Sequence, residues 1–338
     1  MVSIKKRIKK LIAHPFYNSW LPSWNTYTSR FPVGTNILDE EWDLAIVLDS
    51  CRVDQLEKFV QNWHIPVVKN ESILSVGSMS AEWYLNTFDQ SRKSEIENCI
   101  LISGNSWSDN IFKHKFHQHS NHHFQRILRG FPKWRPVSAD DFKYYECVTS
   151  SQYPEELIHP QGSQIPHIIT DRAINAGRKI SADRMIVHYM LPHTPHISRA
   201  VEWKGVDTNI KKMMSGNFKI KRELFDYERS WKPALSGEFN LEKLQVSYEK
   251  NLDLVMNYVE ILLQNIDAKK TIITADHGEA MEPPIWGHPY GLPWPSVKRV
   301  PWFEVRATDM ETYSSQASKP EELNRQQILR DLELLGYK

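Results

Sequence analysis

Apolar positions in this 338-residue chain follow two rhythms: short β-branched runs, and longer stretches that repeat at helical spacing. The first run, Trp42-Asp-Leu-Ala-Ile-Val-Leu-Asp49, predicts a buried strand ending in an acid. Ser50 is placed to cap a helix over residues 50–59. Residues 72–76 predict a second strand, broken at Gly77 into a helix-compatible run from Ser78, and residues 98–103 and 183–191 predict a third and a fourth. Leu244, Tyr248, Leu252, Val255, Val259, Leu262 and Leu263 mark a long core-facing helix over 241–264. A central strand over 270–275 and a last strand over 300–305 follow, and further helices are expected over 165–179 and 320–336. This alternation predicts an α/β fold with a largely parallel central sheet, flanked by helices and carrying long loop insertions.

Between these elements the periodicity fades. Residues 13–40, rich in Trp, Pro, Tyr and Ser, read as an irregular arm, so residues 1–40 separate from a body over 41–338. Insertions are expected at 104–164 and 200–240. The first holds His114, His117, His119, His122 and His123 and reads as a polar surface excursion. The second, Lys-rich and aperiodic, is long enough to cover a site.

Composition narrows the classes. Hydrophobic content of 41% and charged content of 25% describe a soluble globular protein. A net charge of +1 gives no global field for nucleic acid. Three scattered cysteines, Cys51, Cys99 and Cys147, support neither a disulfide framework nor a zinc knuckle. No apolar run reaches the roughly eighteen residues of a membrane span, and the N-terminus lacks the pattern of a secretory signal. The expected location is therefore cytoplasmic. Ile4, Ile8, Leu11 and Ile12 share one helical face among lysines and an arginine. Residues 1–12 thus form a basic amphipathic helix that either packs on the domain or makes peripheral contact with an anionic membrane.

The candidate chemistry gathers at strand ends. Asp276 and His277 close the central strand, a hard oxygen and a borderline nitrogen suited to Zn²⁺ or Mn²⁺, and Gly278 lets the chain turn away. Alone, Asp-His-Gly is a solvated turn. Three other strand ends supply partners if the sheet is parallel: Asp49, the Ser78 turn, and His193 with His196, stiffened by Pro192 and Pro195. A serine at a helix N-terminus faces unpaired N–H groups and the positive end of the dipole, which favours an anion there.

This order of residues resembles the alkaline phosphatase and sulfatase superfamily over about residues 43–305. The resemblance implies that Asp49, Ser78, Asp276 and His277 hold one divalent metal, with Ser78 as nucleophile. Ser78-Met-Ser-Ala-Glu82 is similar to the pattern of lipoteichoic acid synthases, a nucleophilic Thr followed four positions on by Glu. Sulfatases have Arg in place of Glu82, which disfavours sulfate esters; Ser80 remains the alternative nucleophile. The Pro192-His193-Thr194-Pro195 loop looks like the substrate-facing Ser-His-Gly-Pro loop of phosphoethanolamine transferases, and His288 is similarly placed to their second substrate-side histidine. His193, His196 and His288 leave a second metal site open. Asp49-Ser-Cys-Arg52 is similar to the Asp-Gly-Phe-Arg start of nucleotide pyrophosphatases, which makes Arg52 a candidate for substrate binding and keeps phosphodiesterase activity open. The resemblance implies a metal-dependent phosphoester hydrolase or phospho-group transferase acting on a glycan, lipid or nucleotide-linked substrate. A sulfatase or a catalytically silent binding module of the same fold is the alternative.

Overall fold

A computed structural model describes residues 19–115, 127–148, 166–193, 241–282 and 285–315. Its strands are β1 (Leu44–Leu48), β2 (Lys69–Leu74), β3 (Cys99–Ser103), β4 (Tyr144–Cys147), β5 (Arg184–Tyr189), β6 (Ala268–Thr274), β7 (Ala280–Glu282), β8 (Ile285–Gly287) and β9 (Arg299–Ala307). Seven of them form the central sheet, in the order β2-β9-β6-β1-β5-β3-β4, and β7 pairs with β8 in a separate two-stranded sheet.

β1 lies at the middle, parallel to β5 on one side and β6 on the other, and all five of its residues are buried. A strand covered on both faces needs a continuous apolar run rather than alternation, which is what Leu-Ala-Ile-Val-Leu provides. Its side chains still divide by the period of two. Leu44, Ile46 and Leu48 join one core with the helices over Pro166–Lys179 and Leu241–Leu263. Ala45 and Val47 join the opposite core with the helices over Ser80–Thr87 and Trp107–Phe112. Each large aliphatic side chain fully buried this way contributes about 1.5–3 kcal/mol relative to exposure.

The mostly parallel sheet brings its C-terminal strand ends to one edge, although the second strand reaches that edge by another route than a parallel one. β2 runs antiparallel to β9, and β9 antiparallel to β6, so β2 and β6 point the same way. Leu74 pairs with Arg299 at one end of β9, and Thr274 with Trp302 beside it. The turn after β2 therefore lands beside the end of β6.

Three local expectations are corrected. The arm includes a helix over 19–28, here α1. Leu21, Trp24, Asn25 and Thr28 are its buried positions, a helical spacing masked in the sequence by two polar members. Ser50 does not cap the next helix: α2 (Val53–Val60) begins later, with Arg52 at its N-cap. The helix over Ser80–Thr87, α3, then follows β2. The expected insertion over 104–164 contains the Trp107–Phe112 helix and the sheet strand β4, whose Tyr-Tyr-Glu-Cys sequence is half-buried at the sheet edge and carries little apolar signal. Residues 1–12, the insertion expected over 200–240, the histidines at 117–123 and the helix expected over 320–336 lie outside the described residues.

Candidate active site

Asp49 follows β1, and Asp276 with His277 follow β6, its neighbour in the sheet. Their ligating atoms all lie within 4.8 Å of one another and all three residues are buried. The loop between β1 and α2 is bent to serve this cluster. Ser50 takes a left-handed conformation (φ 63°), uncommon for a residue with a side chain. That bend lets its N–H donate to Asp276 Oδ1 (3.2 Å) and its hydroxyl to Asp49 Oδ1 (3.1 Å). His277 donates from Nδ1 to the Gly278 carbonyl (2.9 Å), which leaves the Nε2 lone pair facing the carboxylates. Gly278 itself is required: a Cβ there would lie 2.2 Å from the Ser296 carbonyl oxygen.

The two candidate serines have different places. Ser78 turns away from the cluster: its hydroxyl donates to Glu82 Oε2 (2.7 Å) and accepts from the Gly291 N–H (2.8 Å). Glu82 also accepts from the Ser78 N–H and from Trp24 Nε1, both at 2.7 Å, so Ser78 and Glu82 close the helix entry rather than the site. Ser80, the first residue of α3, stands where Ser78 was expected. Its hydroxyl donates to Asp49 Oδ2 (3.2 Å) and lies 3.5 Å from His277 Nε2. Met79, at the N-cap of α3, provides no side-chain cap, so the first-turn N–H groups beside Ser80 are left to other acceptors.

Electrostatics set the two acids apart. Burial and the neighbouring Asp276 charge push the Asp49 carboxyl well above its ordinary range, against hydrogen bonds from Ser50, Asn105 and Ser80. Burial also works against ionised Asp276, but attraction to the His277 and His188 rings, together with the Ser80 hydroxyl and the Ser50 N–H, holds that carboxyl below its ordinary range. Two buried carboxylates this close do not both stay ionised without a cation between them.

The donor set fits a divalent cation. Asp276 Oδ2 is buried without a hydrogen-bond partner. It lies 3.4 Å from His277 Nε2, and that nitrogen lies 3.6 Å from Asp49 Oδ1. Donors at tetrahedral positions around a zinc-sized ion, with bonds of about 2.1 Å, stand roughly 3.4 Å apart. Asp49, Asp276 and His277, with the Ser80 hydroxyl as a fourth oxygen, are the residues that could hold such an ion.

Beside this cluster sits a histidine group. The His288 ring centroid lies 4.4 Å from that of His277 and 5.0 Å from that of His193. His288 Nδ1 is 2.6 Å from Glu279 Oε2. Burial opposes charge on Glu279, yet His288 and its neighbours hold this carboxyl down at about 2. It is therefore an acceptor, and Nδ1–H donates. The His193 backbone N–H donates to the Asp49 carbonyl (3.1 Å), tying its loop to the end of β1. Arg52 directs its guanidinium to Asp54 (2.9 Å) and the Glu279 carbonyl (2.8 Å). His196 lies outside the described residues.

Three residues were not expected from the sequence. Asn105, just beyond β3, donates to Asp49 Oδ2 (2.8 Å); its signal is the same strand-end position as the others. Glu279 lies within the Asp-His-Gly-Glu run but had no partner until His288 was placed. His188, in the middle of an apolar strand, is fully buried, its Nδ1 2.5 Å from the Tyr84 hydroxyl and its Nε2 3.7 Å from Asp276 Oδ2. Burial pulls its pKa to about 4, so it is neutral at ordinary pH.

No protein-family profile and no curated protein matches this sequence. Among solved structures, the chain is similar to the integral membrane lipooligosaccharide phosphoethanolamine transferase A of Neisseria meningitidis, at 12% identity and a TM-score of 0.44. That match covers 80% of this chain and 48% of the other, so this chain spans about half the length of that protein. The C-terminal periplasmic domain of phosphoethanolamine transferase EptC from Campylobacter jejuni is similar at 14% identity and a TM-score of 0.40, over 77% of each chain. An alkaline phosphatase superfamily protein from Vibrio parahaemolyticus is similar at 9% identity and a TM-score of 0.34, over 86% of this chain and 68% of the other. The likeness is one of fold.

The cytoplasmic location expected from the sequence is corrected by these comparisons, which include a periplasmic domain and an integral membrane protein. Among the described residues, no helix is long and apolar enough to cross a membrane.

Proposed function

We propose that this protein is a metal-dependent phosphoryl-transfer enzyme with Ser80 as its nucleophile. The observation that carries the reading is the Ser80 hydroxyl at the first turn of α3, within reach of both Asp49 and His277 in a buried triad where Asp276 Oδ2 has no hydrogen-bond partner. Ser78, the expected nucleophile, is replaced in this role because its hydroxyl is committed to Glu82 and the Gly291 N–H.

When bound by Asp49, Asp276 and His277, a Zn²⁺ or Mn²⁺ ion supplies Lewis-acid polarisation of a phosphoryl oxygen and favours the serine alkoxide. Ser80 Oγ, its proton released to solvent, attacks phosphorus in line, forming the Oγ–P bond as the ester P–O bond breaks. The first-turn N–H groups of α3 face the charge that builds on the equatorial oxygens, while the Asn105 amide holds Asp49 in place. His288, fixed through Nδ1 by ionised Glu279, delivers a proton from Nε2 to the departing oxygen, and His193 orients the phosphate beside it. In the second half, water or a substrate hydroxyl attacks phospho-Ser80, with proton flow reversed through His288. Water makes the enzyme a phosphoester hydrolase; a glycan or lipid hydroxyl makes it a transferase.

The test is hydrolysis of nitrophenyl phosphate monoester, phosphodiester and sulfate with Zn²⁺ or Mn²⁺. Turnover of a phosphate ester that requires metal is expected, falling by about a thousandfold or more in Ser80→Ala and Asp276→Ala. Ser78→Ala is expected to keep its metal and remain within about tenfold of the parent, because it removes a hydrogen bond and not the nucleophile. Preference for the sulfate ester, or equal loss in Ser78→Ala and none in Ser80→Ala, contradicts the proposal.

A further inference from the structure

All three exposed aromatic side chains among the described residues lie on one corner of the molecule: Tyr27 (55% exposed), Phe31 (62%) and Phe131 (81%). Tyr27 and Phe31 sit at the end of α1 with ring centroids 5.6 Å apart. Phe131 is brought to them by hydrogen bonds from both of its backbone groups. Its N–H donates to Thr26 Oγ1 (2.9 Å), and its carbonyl accepts from Arg30 Nη1 (2.8 Å). The next residues continue the attachment, the Lys133 N–H donating to Ser29 Oγ (2.9 Å). Aromatic surface left outside while its backbone is held this firmly is a built feature, not a frayed loop.

The charge beside it has one sign in excess. An adjoining cleft of about 730 Å³ is walled by Trp134 and carries Arg30, Arg92, Lys133 and Arg135 against Asp39 and Asp89. Both carboxylates are already taken, Asp39 by Arg92 and Asp89 by Arg135 (3.2 Å). Arg30 and Lys133 have no carboxylate partner among the described residues. Aromatic rings beside surplus cations, without competing acids, match the interface of a bilayer that carries anionic lipid.

We infer that this corner docks the protein on an anionic lipid surface, with Tyr27, Phe31 and Phe131 entering the head-group region and Arg30 and Lys133 against the phosphates. The surface is joined to the elements that flank the site. On the same helix, Trp24 donates to Glu82 (2.7 Å) and Asn25 accepts from the Tyr290 hydroxyl (2.6 Å), while Trp20 Nε1 donates to the Gly291 carbonyl (2.7 Å). Docking one end of α1 therefore sets how the catalytic edge faces the bilayer. The inference does not depend on the phosphoryl-transfer reading, because binding is measured without turnover.

The experiment is co-sedimentation of the full chain with phosphatidylcholine vesicles and with vesicles of phosphatidylcholine and phosphatidylglycerol, at low and high salt. Binding to the anionic vesicles, weakened by salt, is expected. It should fall by about tenfold or more in Phe31→Ser/Phe131→Ser/Lys133→Ser, whose exposed changes leave the thermal midpoint unchanged. A Val68→Ser/Met310→Ser control, exposed elsewhere, is expected to bind as the parent does. The inference is overturned if the parent ignores anionic vesicles, or if the triple variant binds them as well as the parent, which would assign binding to residues 1–12. It is also overturned if the triple variant loses self-association in sedimentation equilibrium while the parent never binds lipid, which would make the occupant a second copy of this chain.

Discussion

Glu279 is ionised at neutral pH, since its carboxyl is held down at about 2 from an ordinary value of 4.5. The sign follows from linkage: a depressed acid contributes stability that is fully present above its unfolded pKa and is lost as pH falls from 4.5 towards 2. At neutral pH its charge therefore faces His288 Nδ1 at 2.6 Å. Glu279→Gln removes that charge and keeps the shape. The expected result is a loss of about ten- to a hundredfold in kcat, with the alkaline limb of the pH–rate profile moved to lower pH. A profile that drops in height without moving would show that Glu279 only packs. His188 works at the same scale but from behind. Too far from the other ligating atoms to join their group, it meets Asp276 at 3.7 Å and is ringed by Trp83 and Tyr84, which hold it in place.

The element on which the proposed chemistry depends is the turn between β2 and α3. Gly77 is there because the turn passes directly under Trp83: a Cβ would lie 2.6 Å from the Trp83 backbone nitrogen. Nothing flexible can yield at that point, so Gly77→Ala must shift the first turn of α3 and Ser80 with it. A stability loss of about 1–3 kcal/mol is expected in denaturant titration. Activity should fall further than stability explains, with metal affinity reduced through the Ser80 oxygen. Loss of stability with an unaltered kcat would separate the turn from the site. The same turn explains why the choice between Ser78 and Ser80 was not legible in the sequence. Both serines precede the same helix, and the four-residue spacing from Ser78 to Glu82 resembles a family pattern. In the folded chain that spacing closes a helix entry, with Glu82 accepting from Ser78 and Trp24. Only the position of the Trp24 helix, itself hidden among polar residues, reveals it.

Across the whole molecule, legibility followed burial on both faces. β1, β5 and β6 announced themselves because strands at the middle of a sheet carry continuous buried runs, rich in aliphatic side chains, and the polar residues at their ends then stood out. That is why Asp49, Asp276, His277 and His193 stood out as candidates. β4 lies at the sheet edge and is half-buried, and α1 buries an Asn and a Thr, so neither carried an apolar signal strong enough to read. Asn105 was lost with them, because its role depends on how β3 sits relative to β1 two strands away. The sheet brings Asp49, Asp276 and His277 together at one edge from strands far apart in the chain, and the proposed chemistry of that edge turns on Ser80. The most direct test is to quench a metal-loaded reaction with a nitrophenyl phosphate ester in acid and map phosphate on the peptide covering residues 72–92. Phosphate on Ser80, absent without metal and absent in Asp276→Ala, is the predicted result; phosphate on Ser78, or turnover with no phosphoserine on that peptide, would contradict it.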